Sequence, residues 1–426
     1  MKKVITYGTY DLLHYGHIRL LERAKELGDY LIVGVTADAF DRARGKINVK
    51  QTLMERIEAV KALGIADEII IEEYEGQKID DIQRLGVDIF TVGSDWVGKF
   101  DYLKEYCQVV YLDRTEGVSS TELRSKNTLT RLGFIGKTPF LDKIINECRF
   151  VNGMEVVSSS DTPIEELMEK VDAVFVLSHP SEHYQHVKYA LEHGKHVMVE
   201  APVAIGEEQA KGLFRMADEK GLILMEAIKT AYALAYSRLL LLVKGGRIGN
   251  VVSVDVTCTS LREQQLEPVA RPWSSLCAWG PTALLPVFQI LGTNYKEKHI
   301  VQRRSETDAT FDLFTKIDFR YDKAVATMKV GKGVKSEGEL IVSGTKGYIY
   351  VPAPWWKTDY FEIRYENAEE NRRFFYQLDG EGIRYELVAF IKSIETRKVN
   401  QYVPNEVSVT IAAIMEEGIG NDVQLI

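Results

Sequence analysis

Two histidines, His14 and His17, enclose a glycine at a point where a predicted strand gives way to a predicted helix. Residues 4–7 form a short apolar run typical of a buried strand, and apolar side chains then recur at helical spacing at Leu20, Leu21, Ala24 and Leu27. The N-terminus of a helix carries unpaired N–H groups and a partial positive charge, so it can bind a phosphate group. Because Gly16 has no side chain, a nucleotide can approach the backbone closely there. The pattern predicts a phosphate site that includes two imidazoles.

The elements around this pair follow a regular order. Strands are predicted at residues 4–7, 30–35, 68–71, 88–92 and 108–112, with amphipathic helices such as 54–63 and 79–85 between them. Alternation of this kind indicates a parallel sheet covered on both faces, and ligands then bind beyond the carboxyl ends of the strands. His14, Asp95 and Arg114 would all lie at that edge.

A second pattern begins after residues 125–128. Further strands are predicted at 132–136, 155–158, 173–177, 196–200 and 222–226, and from about residue 250 the apolar residues alternate with period two, as in 252–257, 324–330 and 339–342. An apolar helix is predicted at 281–291. We therefore predict an α/β protein with a Rossmann-like domain at 1–126, a second Rossmann-like domain at 131–248, and an α+β domain with a largely antiparallel open sheet at 249–426.

Bulk properties exclude several classes of protein. With 426 residues the chain is too long for one core. A net charge of −9 argues against a nucleic-acid binder, because neutralising phosphates needs a basic surface. The four cysteines have no metal-like spacing and indicate reduced thiols. No signal peptide and no apolar run near ~20 residues is seen, so we expect a cytoplasmic protein that does not enter a membrane.

Three motifs in order carry a resemblance to a known family. Residues 7–17, 93–100 and 114–121 together resemble the nucleotidyltransferase superfamily, and more narrowly the glycerol-3-phosphate cytidylyltransferases. The resemblance spans about residues 1–126. It implies transfer of CMP from CTP to glycerol 3-phosphate, giving CDP-glycerol and pyrophosphate, with Mg²⁺ screening the phosphates. CDP-glycerol would serve the synthesis of teichoic-acid-like or capsular polymers.

The same resemblance implies roles for individual residues. The catalytic set would be His14, His17, Lys46 and Arg114. The nucleotide would contact Thr9, Tyr10, Asp11, Gly16, Asp95, Trp96, Thr115, Ser119, Ser120 and Thr121. The phosphate of the acceptor would meet Arg56 and Lys78. No metal-ligating residue is predicted.

Simpler interpretations of these residues stay open. Ser119 with Glu122 would cap a helix in any case, Lys46 could belong to a solvated charged loop, and Trp96 could be core. Arg56 could be an ordinary helix residue.

The chain departs from the family at one place that concerns the acceptor. The family usually has an arginine before an aromatic-Val-Asp-Glu run, and this chain has Gly64 there. Lys61 or Lys78 could substitute. The acceptor could therefore also be ribitol 5-phosphate or another small phosphoalcohol.

The rest of the chain resembles the glucose-fructose oxidoreductase and inositol dehydrogenase family, in residues 171–180, 183–184, 194–202 and 226–232. Functional positions of that family are changed. Thr138 and Leu141 interrupt the dinucleotide fingerprint, Ala201 stands where the family has its catalytic lysine, and residues 278–280 lack the family's acid. We therefore expect no NAD(P) binding and a non-catalytic domain used for assembly, regulation or ligand sensing.

Two alternatives remain for this part. It could be an active NAD(P)-dependent reductase that supplies a polyol phosphate such as ribitol 5-phosphate, with divergent catalysis by Lys229, Tyr232 or His179. It could also be a dimerisation module, and we expect a homodimer or a higher homo-oligomer.

Overall fold

The computed structural model describes residues 1–37, 40–41, 49, 51–74, 76–113, 129–158, 162–261, 273–309, 311–376, 378–397, 402–420 and 423–426. The chain divides into two compact units, Met1–Leu129 and Thr130–Ile426. The second unit contains both the second parallel sheet and the antiparallel sheet.

The first unit contains a parallel five-stranded sheet. Its strands are β1 (Lys3–Gly8), β2 (Tyr30–Thr36), β3 (Glu68–Glu72), β4 (Ile89–Gly93) and β5 (Gln108–Leu112), with helices α1 (Tyr15–Lys25), α2 (Leu53–Ala62) and α3 (Gln77–Leu85). The strand order is β3-β2-β1-β4-β5, and every pairing is parallel. Successive residues of a strand face opposite sides, so Val4 and Ile5 are both fully buried, in the cores above and below the sheet. The predicted strands and the α/β class are confirmed.

The second unit starts with another parallel sheet. Its strands are β6 (Thr130–Ile135), β7 (Met154–Val156), β8 (Ala173–Val176), β9 (His196–Glu200) and β10 (Leu224–Ala227), with helices α4 (Leu141–Cys148), α5 (Ile164–Lys170), α6 (Pro180–Glu192) and α7 (Glu207–Lys220). The order is β10-β9-β8-β6-β7. Near-continuous apolar strands such as β8 are typical of a sheet that is covered on both faces.

A nine-stranded sheet follows. Its strands are β11 (Val251–Thr259), β12 (Glu297–Arg304), β13 (Asp312–Arg320), β14 (Val325–Gly331), β15 (Leu340–Gly344), β16 (Tyr348–Val351), β17 (Tyr360–Arg364), β18 (Arg372–Phe375) and β19 (Gln424–Leu425). The helices are α8 (Leu234–Lys244), α9 (Ser275–Leu291), α10 (Ile383–Thr396) and α11 (Asn405–Ile419). The order is β18-β17-β16-β15-β11-β14-β13-β12-β19, and the pairings are antiparallel except β11 with β14 and β12 with β19. The predicted, largely antiparallel sheet is confirmed.

The apolar helix begins earlier than predicted. It starts at Ser275, capped by the Ser274 side chain, and it contains Pro281 and Pro286 in its interior. Proline usually occurs in the first turn of a helix rather than in its interior. Here much of the helix is buried, so packing overrides the local preference. Among the described residues, no helix is long and apolar enough to cross a membrane.

Candidate active site

The histidine pair lies where the strand order of the first sheet reverses. Strands β2 and β3 extend the sheet to one side of β1, whereas β4 and β5 extend it to the other. In open parallel sheets the crevice at such a reversal, beyond the carboxyl ends of the strands, is where ligands bind. The chain leaves β1 at Gly8 and enters α1 at Tyr15, so the six intervening residues belong to this edge.

His14 and His17 are stacked on each other. Their ring centroids are 3.9 Å apart and the ring planes differ by 25°. The edge of the Tyr10 ring contacts His17 at a centroid distance of 5.5 Å. The two imidazoles therefore form one group at the N-terminus of α1, as the spacing predicted.

The backbone of α1 determines the protonation of His14. His14 is the N-cap residue, and its Nδ1 accepts a hydrogen bond from the N–H of Gly16 at 3.1 Å. A ring nitrogen that accepts cannot carry the proton, so the neutral ring has its N–H at Nε2. Capping and phosphate binding are thus compatible, because each uses a different nitrogen.

The loop before the helix has an unusual backbone. Tyr10 and Leu12 have positive φ values of 54° and 48°. Tyr10 is 2% exposed, and burial raises the pKa of its phenol. The loop is held from outside, because the Gln51 N–H donates to Asp11 at 3.0 Å and Gln51 Oε1 accepts from the Leu12 N–H at 2.7 Å. Strain of this kind persists only where the surroundings enforce it, and it is common at functional sites.

Arg56 lies beneath this loop and is fully buried. Its Nη1 donates to the carbonyl oxygens of Thr9 and Thr36, at 2.6 and 2.8 Å, and is 3.6 Å from Asp41. The hydroxyl of Thr9 donates to the same Asp41 at 2.9 Å. Arg56 therefore ties the loop after β1 to the end of β2.

Lys78 is also buried in an ion pair. It contacts Glu72 at the end of β3, and its Nζ lies 4.7 Å from the centre of the Tyr7 ring. Glu72 also accepts from the Thr36 hydroxyl at 2.8 Å. The sequence predicted Arg56 and Lys78 as ligands of the acceptor phosphate. In the structure both side chains contact carboxylates or carbonyl oxygens of the protein itself. Their binding of the acceptor phosphate stays a prediction.

Asp95 and Trp96 follow β4, the strand next to β1. They lie in the 3₁₀ helix Ser94–Trp96, where Asp95 is exposed. The Trp96 ring packs on Phe100 at 5.9 Å and lies 5.2 Å from the Nζ of Lys99. Their predicted contact with the nucleotide stays a prediction.

Several predicted residues lie outside the described part of the chain: Lys46, Arg114, Thr115, Ser119, Ser120 and Thr121. Sequence reasoning missed Asp41, Gln51 and Glu72. The capping box of Thr52 and Glu55 was a usable signal for Gln51, because it places Gln51 directly before the N-cap residue of α2. Nothing local pointed to Asp41 or Glu72.

The second unit has a comparable edge with altered chemistry. Gly136 follows β6 with φ of 84°, and a Cβ there would lie 2.5 Å from the Ser178 backbone. Ala201, just after β9, is buried and offers no proton to a ligand. His179 caps α6, accepting from the Ser181 N–H at 3.3 Å, and Tyr232 packs on Tyr402 at 5.3 Å. Both positions fit packing roles.

A parallel sheet with a histidine pair at a helix N-terminus, beside the reversal of strand order, is the arrangement of a nucleotidyltransferase. The family model of cytidylyltransferase-like proteins matches residues 5–126. Through this unit the chain belongs to the family of the glycerol-3-phosphate cytidylyltransferases. The relative from Bacillus spizizenii is 52% identical over 124 residues, which are 29% of this chain and 95% of that protein. The one from Staphylococcus aureus is 48% identical over 126 residues, or 30% of this chain and 95% of that protein.

The second unit matches a different family. The model of the oxidoreductase family with an NAD-binding Rossmann fold matches residues 142–228. KijD10, a 3-ketoreductase from Actinomadura kijaniata, superposes with a TM-score of 0.61 at 18% identity, over 70% of this chain and 99% of that one. The UDP-N-acetylglucosamine 3-dehydrogenase of Acidithiobacillus ferrooxidans gives 0.57 at 14% identity, over 68% and 97%. At this identity the likeness establishes the fold alone. The chain is a cytidylyltransferase domain fused to an oxidoreductase-like domain.

Proposed function

We propose that the first unit transfers CMP from CTP to glycerol 3-phosphate, giving CDP-glycerol and pyrophosphate. The observation that carries the proposal is the stacked pair of His14 and His17 at the N-terminus of α1. Identities of 48–52% to relatives named glycerol-3-phosphate cytidylyltransferase support the choice of nucleotide and acceptor. CDP-glycerol would then be a building block for teichoic-acid-like or capsular polymers.

The reaction is a displacement at phosphorus. A phosphate oxygen of glycerol 3-phosphate forms a bond to the α-phosphorus of CTP. The bond from that phosphorus to the oxygen that bridges to the β-phosphate breaks, and pyrophosphate leaves with this oxygen. Catalysis then consists of aligning the two phosphates and stabilising the negative charge that builds up between them.

The histidine pair suits this task. Because the Nδ1 of His14 accepts from the helix backbone, its Nε2–H would be the donor to an α-phosphoryl oxygen. His17 stacks on that ring, so both imidazoles serve the same phosphoryl group. The positive end of the α1 dipole acts at the same place, and Gly16 keeps the approach open.

The other proposed residues surround this centre. Thr9, Tyr10 and Asp11 form the loop against which the nucleotide would lie, and Asp95 with Trp96 would meet the nucleoside. For the β- and γ-phosphates we propose Lys46, Arg114, Thr115, Ser119, Ser120 and Thr121. The imidazoles and the backbone N–H groups of α1 are hydrogen-bond donors, which suit phosphate oxygens rather than Mg²⁺, and the Asp11 carboxylate accepts from the Gln51 N–H. We therefore propose that Mg²⁺ is carried by the triphosphate of CTP.

For the second unit we propose a role other than hydride transfer. Thr138 and Leu141 stand where a pyrophosphate needs bare backbone and close packing, so these residues do not fit NAD(P). Ala201 has no proton to give a carbonyl group. Titration with NADH, followed by its fluorescence, tests this. Binding with turnover would favour the reductase alternative. We further propose a homodimer or higher homo-oligomer, and a strictly monomeric mass in solution would contradict that.

The transferase proposal is tested by pyrophosphate release from CTP. The acceptors are glycerol 3-phosphate, ribitol 5-phosphate, phosphoethanolamine and phosphocholine. We expect turnover with glycerol 3-phosphate and a loss of about 100- to 1000-fold in kcat for His17→Ala, the usual effect of removing one donor to a developing negative charge.

His193→Ala is the matched control. His193 is an exposed histidine of the second unit whose Nδ1 hydrogen-bonds the Tyr189 carbonyl, and its replacement should leave the rate unchanged. Turnover with only a different acceptor would support nucleotidyl transfer and would show that glycerol 3-phosphate is not the acceptor. No turnover with any acceptor would refute it.

A further inference from the structure

Three lysines in the second unit converge on a single carboxylate. The Glu381 carboxylate contacts Lys143 at 2.8 Å, Lys357 at 2.9 Å and Lys229 at 3.3 Å. Their side chains are 29–38% exposed, so solvent and solutes reach the group. We call Lys143, Lys229, Lys357 and Glu381 the lysine cluster. Its formal charges, three positive and one negative, leave an excess of two positive charges.

The turn that carries Glu381 has a special backbone. Gly380, Glu381 and Gly382 all have positive φ values, of 58°, 54° and 94°. A Cβ on Gly382 would lie 2.6 Å from the carbonyl oxygen of Lys229, so only glycine allows the turn to pack this closely. A glutamate in the left-handed region is uncommon, and such residues concentrate at functional sites.

Burial and local charges shift the pKa values of the cluster and its neighbours. Burial lowers the pKa of the Lys229 ammonium, and the adjacent Glu381 carboxylate opposes that shift. Burial by itself would raise the pKa of Glu381, but hydrogen bonds from Lys143 and Lys357 and the charge of Lys229 outweigh it and lower the pKa to about 2. Burial raises the pKa of the neighbouring carboxyls of Glu200 and Glu386 to about 7 and about 8. At neutral pH these two groups are therefore at least partly protonated and cancel little of the charge.

Two buried carboxyl groups next to Lys229 have oxygens that make no hydrogen bond to any described residue. Within the part of the chain that the structure describes, the Oε2 atoms of Glu386 and Glu200 are buried without a hydrogen-bond partner. Glu386 is 4% exposed, and the charge of Lys229 acts on both carboxyls. Unsatisfied buried polar groups are rare in folded proteins, and a bound molecule is one way of giving them a partner.

The cluster also has the right position in the fold. Glu200 ends β9, and Lys229 comes two residues after β10. Lys143 lies in the helix that follows β6, and the exposed Phe140 ring of the same connection is 5.8 Å from the Nζ of Lys229. These positions follow the carboxyl ends of parallel strands, where α/β sheets bind ligands.

We propose that the lysine cluster is a binding site for a small phosphomonoester, whose oxygens would contact the ammonium groups now bridged by Glu381. A phosphomonoester dianion matches the excess of two positive charges, and its alcohol portion would face the unused buried polar atoms. The site is independent of the cytidylyltransferase proposal, since all its residues belong to the second unit.

The test uses the full chain and hydrogen exchange read by mass spectrometry, so that binding in the second unit is seen separately from phosphate sites in the first. The probes are inorganic phosphate, glycerol 3-phosphate and phosphoethanolamine, each compared with chloride at equal ionic strength. We expect glycerol 3-phosphate to slow exchange in residues 379–397 at lower concentration than inorganic phosphate does.

Variants decide whether the cluster is responsible. The double variant Lys143→Ala/Lys357→Ala should weaken this protection by about tenfold or more in concentration, whereas Glu381→Gln, which removes the competing charge, should strengthen it about tenfold. Lys296→Ala is the matched control, because Lys296 is an exposed lysine paired with Asp322 at 3.6 Å elsewhere in the same unit.

Three outcomes would overturn the proposal. They are absence of phosphate-specific protection, protection that survives the double variant, and protection by inorganic phosphate but by neither ester. Each of these would leave the cluster as a structural ion-pair network, whatever the result of the pyrophosphate assay.

Discussion

Replacing Arg56 by methionine tests how the loop of the candidate active site is held. Methionine keeps most of the apolar volume of the side chain and removes the guanidinium. Arg56 is fully buried, and its Nη1 donates to the carbonyl oxygens of Thr9 and Thr36 at 2.6 and 2.8 Å. Asp41, 2% exposed at its side chain and 3.6 Å from that Nη1, would lose its contact with this guanidinium.

The size of the effect follows from these contacts. Removing one partner of a buried ion pair costs about 3–5 kcal/mol. Each 1.4 kcal/mol is a factor of about ten in an equilibrium constant, so opening of the sheet should become about a hundredfold to a few thousandfold more frequent. That is a large part of the stability of an ordinary domain.

Hydrogen exchange of the full chain measures this opening. Peptides covering β1 and β2 should lose protection by the stated factor in Arg56→Met, while a peptide covering β8, in the other unit, should not change. Val60→Ala is the control for simple truncation, because Val60 is a fully buried apolar residue of the same helix. Adding Asp41→Asn should restore part of the loss, since the two positions are coupled.

The opposite result would refute this reasoning. If Arg56→Met leaves the protection of β1 and β2 within about threefold of the wild type, the contacts of Arg56 do not hold the loop. A raised KM for glycerol 3-phosphate with unchanged protection would instead favour the direct phosphate contact that the sequence predicted.

Two further predictions concern the cores. A Cβ on Gly34 would overlap the ring of Tyr7, so Gly34→Ala should destabilise the first unit by about 1–3 kcal/mol, seen as faster exchange of β2; unchanged exchange would mean that the ring moves aside at no cost. Burial raises the pKa of Glu386 to about 8, above its ordinary 4.5, so the folded state holds this proton more tightly and loses stability as pH rises from about 4.5 to 8. The side chain introduced by Glu386→Gln cannot ionise. As pH rises from about 4.5 to 8, the unfolding temperature of this variant should therefore rise relative to that of the wild type, by the equivalent of at most about 5 kcal/mol of unfolding free energy. A difference that does not change with pH would contradict this.

Much of the first unit was readable from local patterns. The strands of the parallel sheet are apolar runs bounded by turn residues, and α1 and α2 have the spacing and caps of ordinary helices. His14 and His17 are three residues apart in a helical segment, so their closeness follows from helix geometry alone. The likeness of three ordered motifs to one family supplied the chemistry.

Local sequence patterns do not identify the partner of a buried charged side chain. Arg56 is 15 residues from Asp41 and 47 from Thr9, and these groups meet where the connections that follow the paired strands β1 and β2 pack against α2. Whether an arginine on a helix is buried depends on what the fold packs around it. The sequence alone therefore did not show that Arg56 is buried and needs a charged partner.

The sequence by itself determined the two kinds of sheet, the fusion of two units and the imidazole pair at a helix end, because strand and helix periodicities are local. Only the tertiary structure decided where charges are neutralised. Lys143, Lys229 and Lys357 are scattered over more than 200 residues. Lys143 and Lys229 follow strands of the parallel sheet, Lys357 lies between β16 and β17 of the nine-stranded sheet, and the fold brings all three to Glu381. Electrostatic contacts depend on distance in space and on burial, and neither is written in the spacing of residues along the chain.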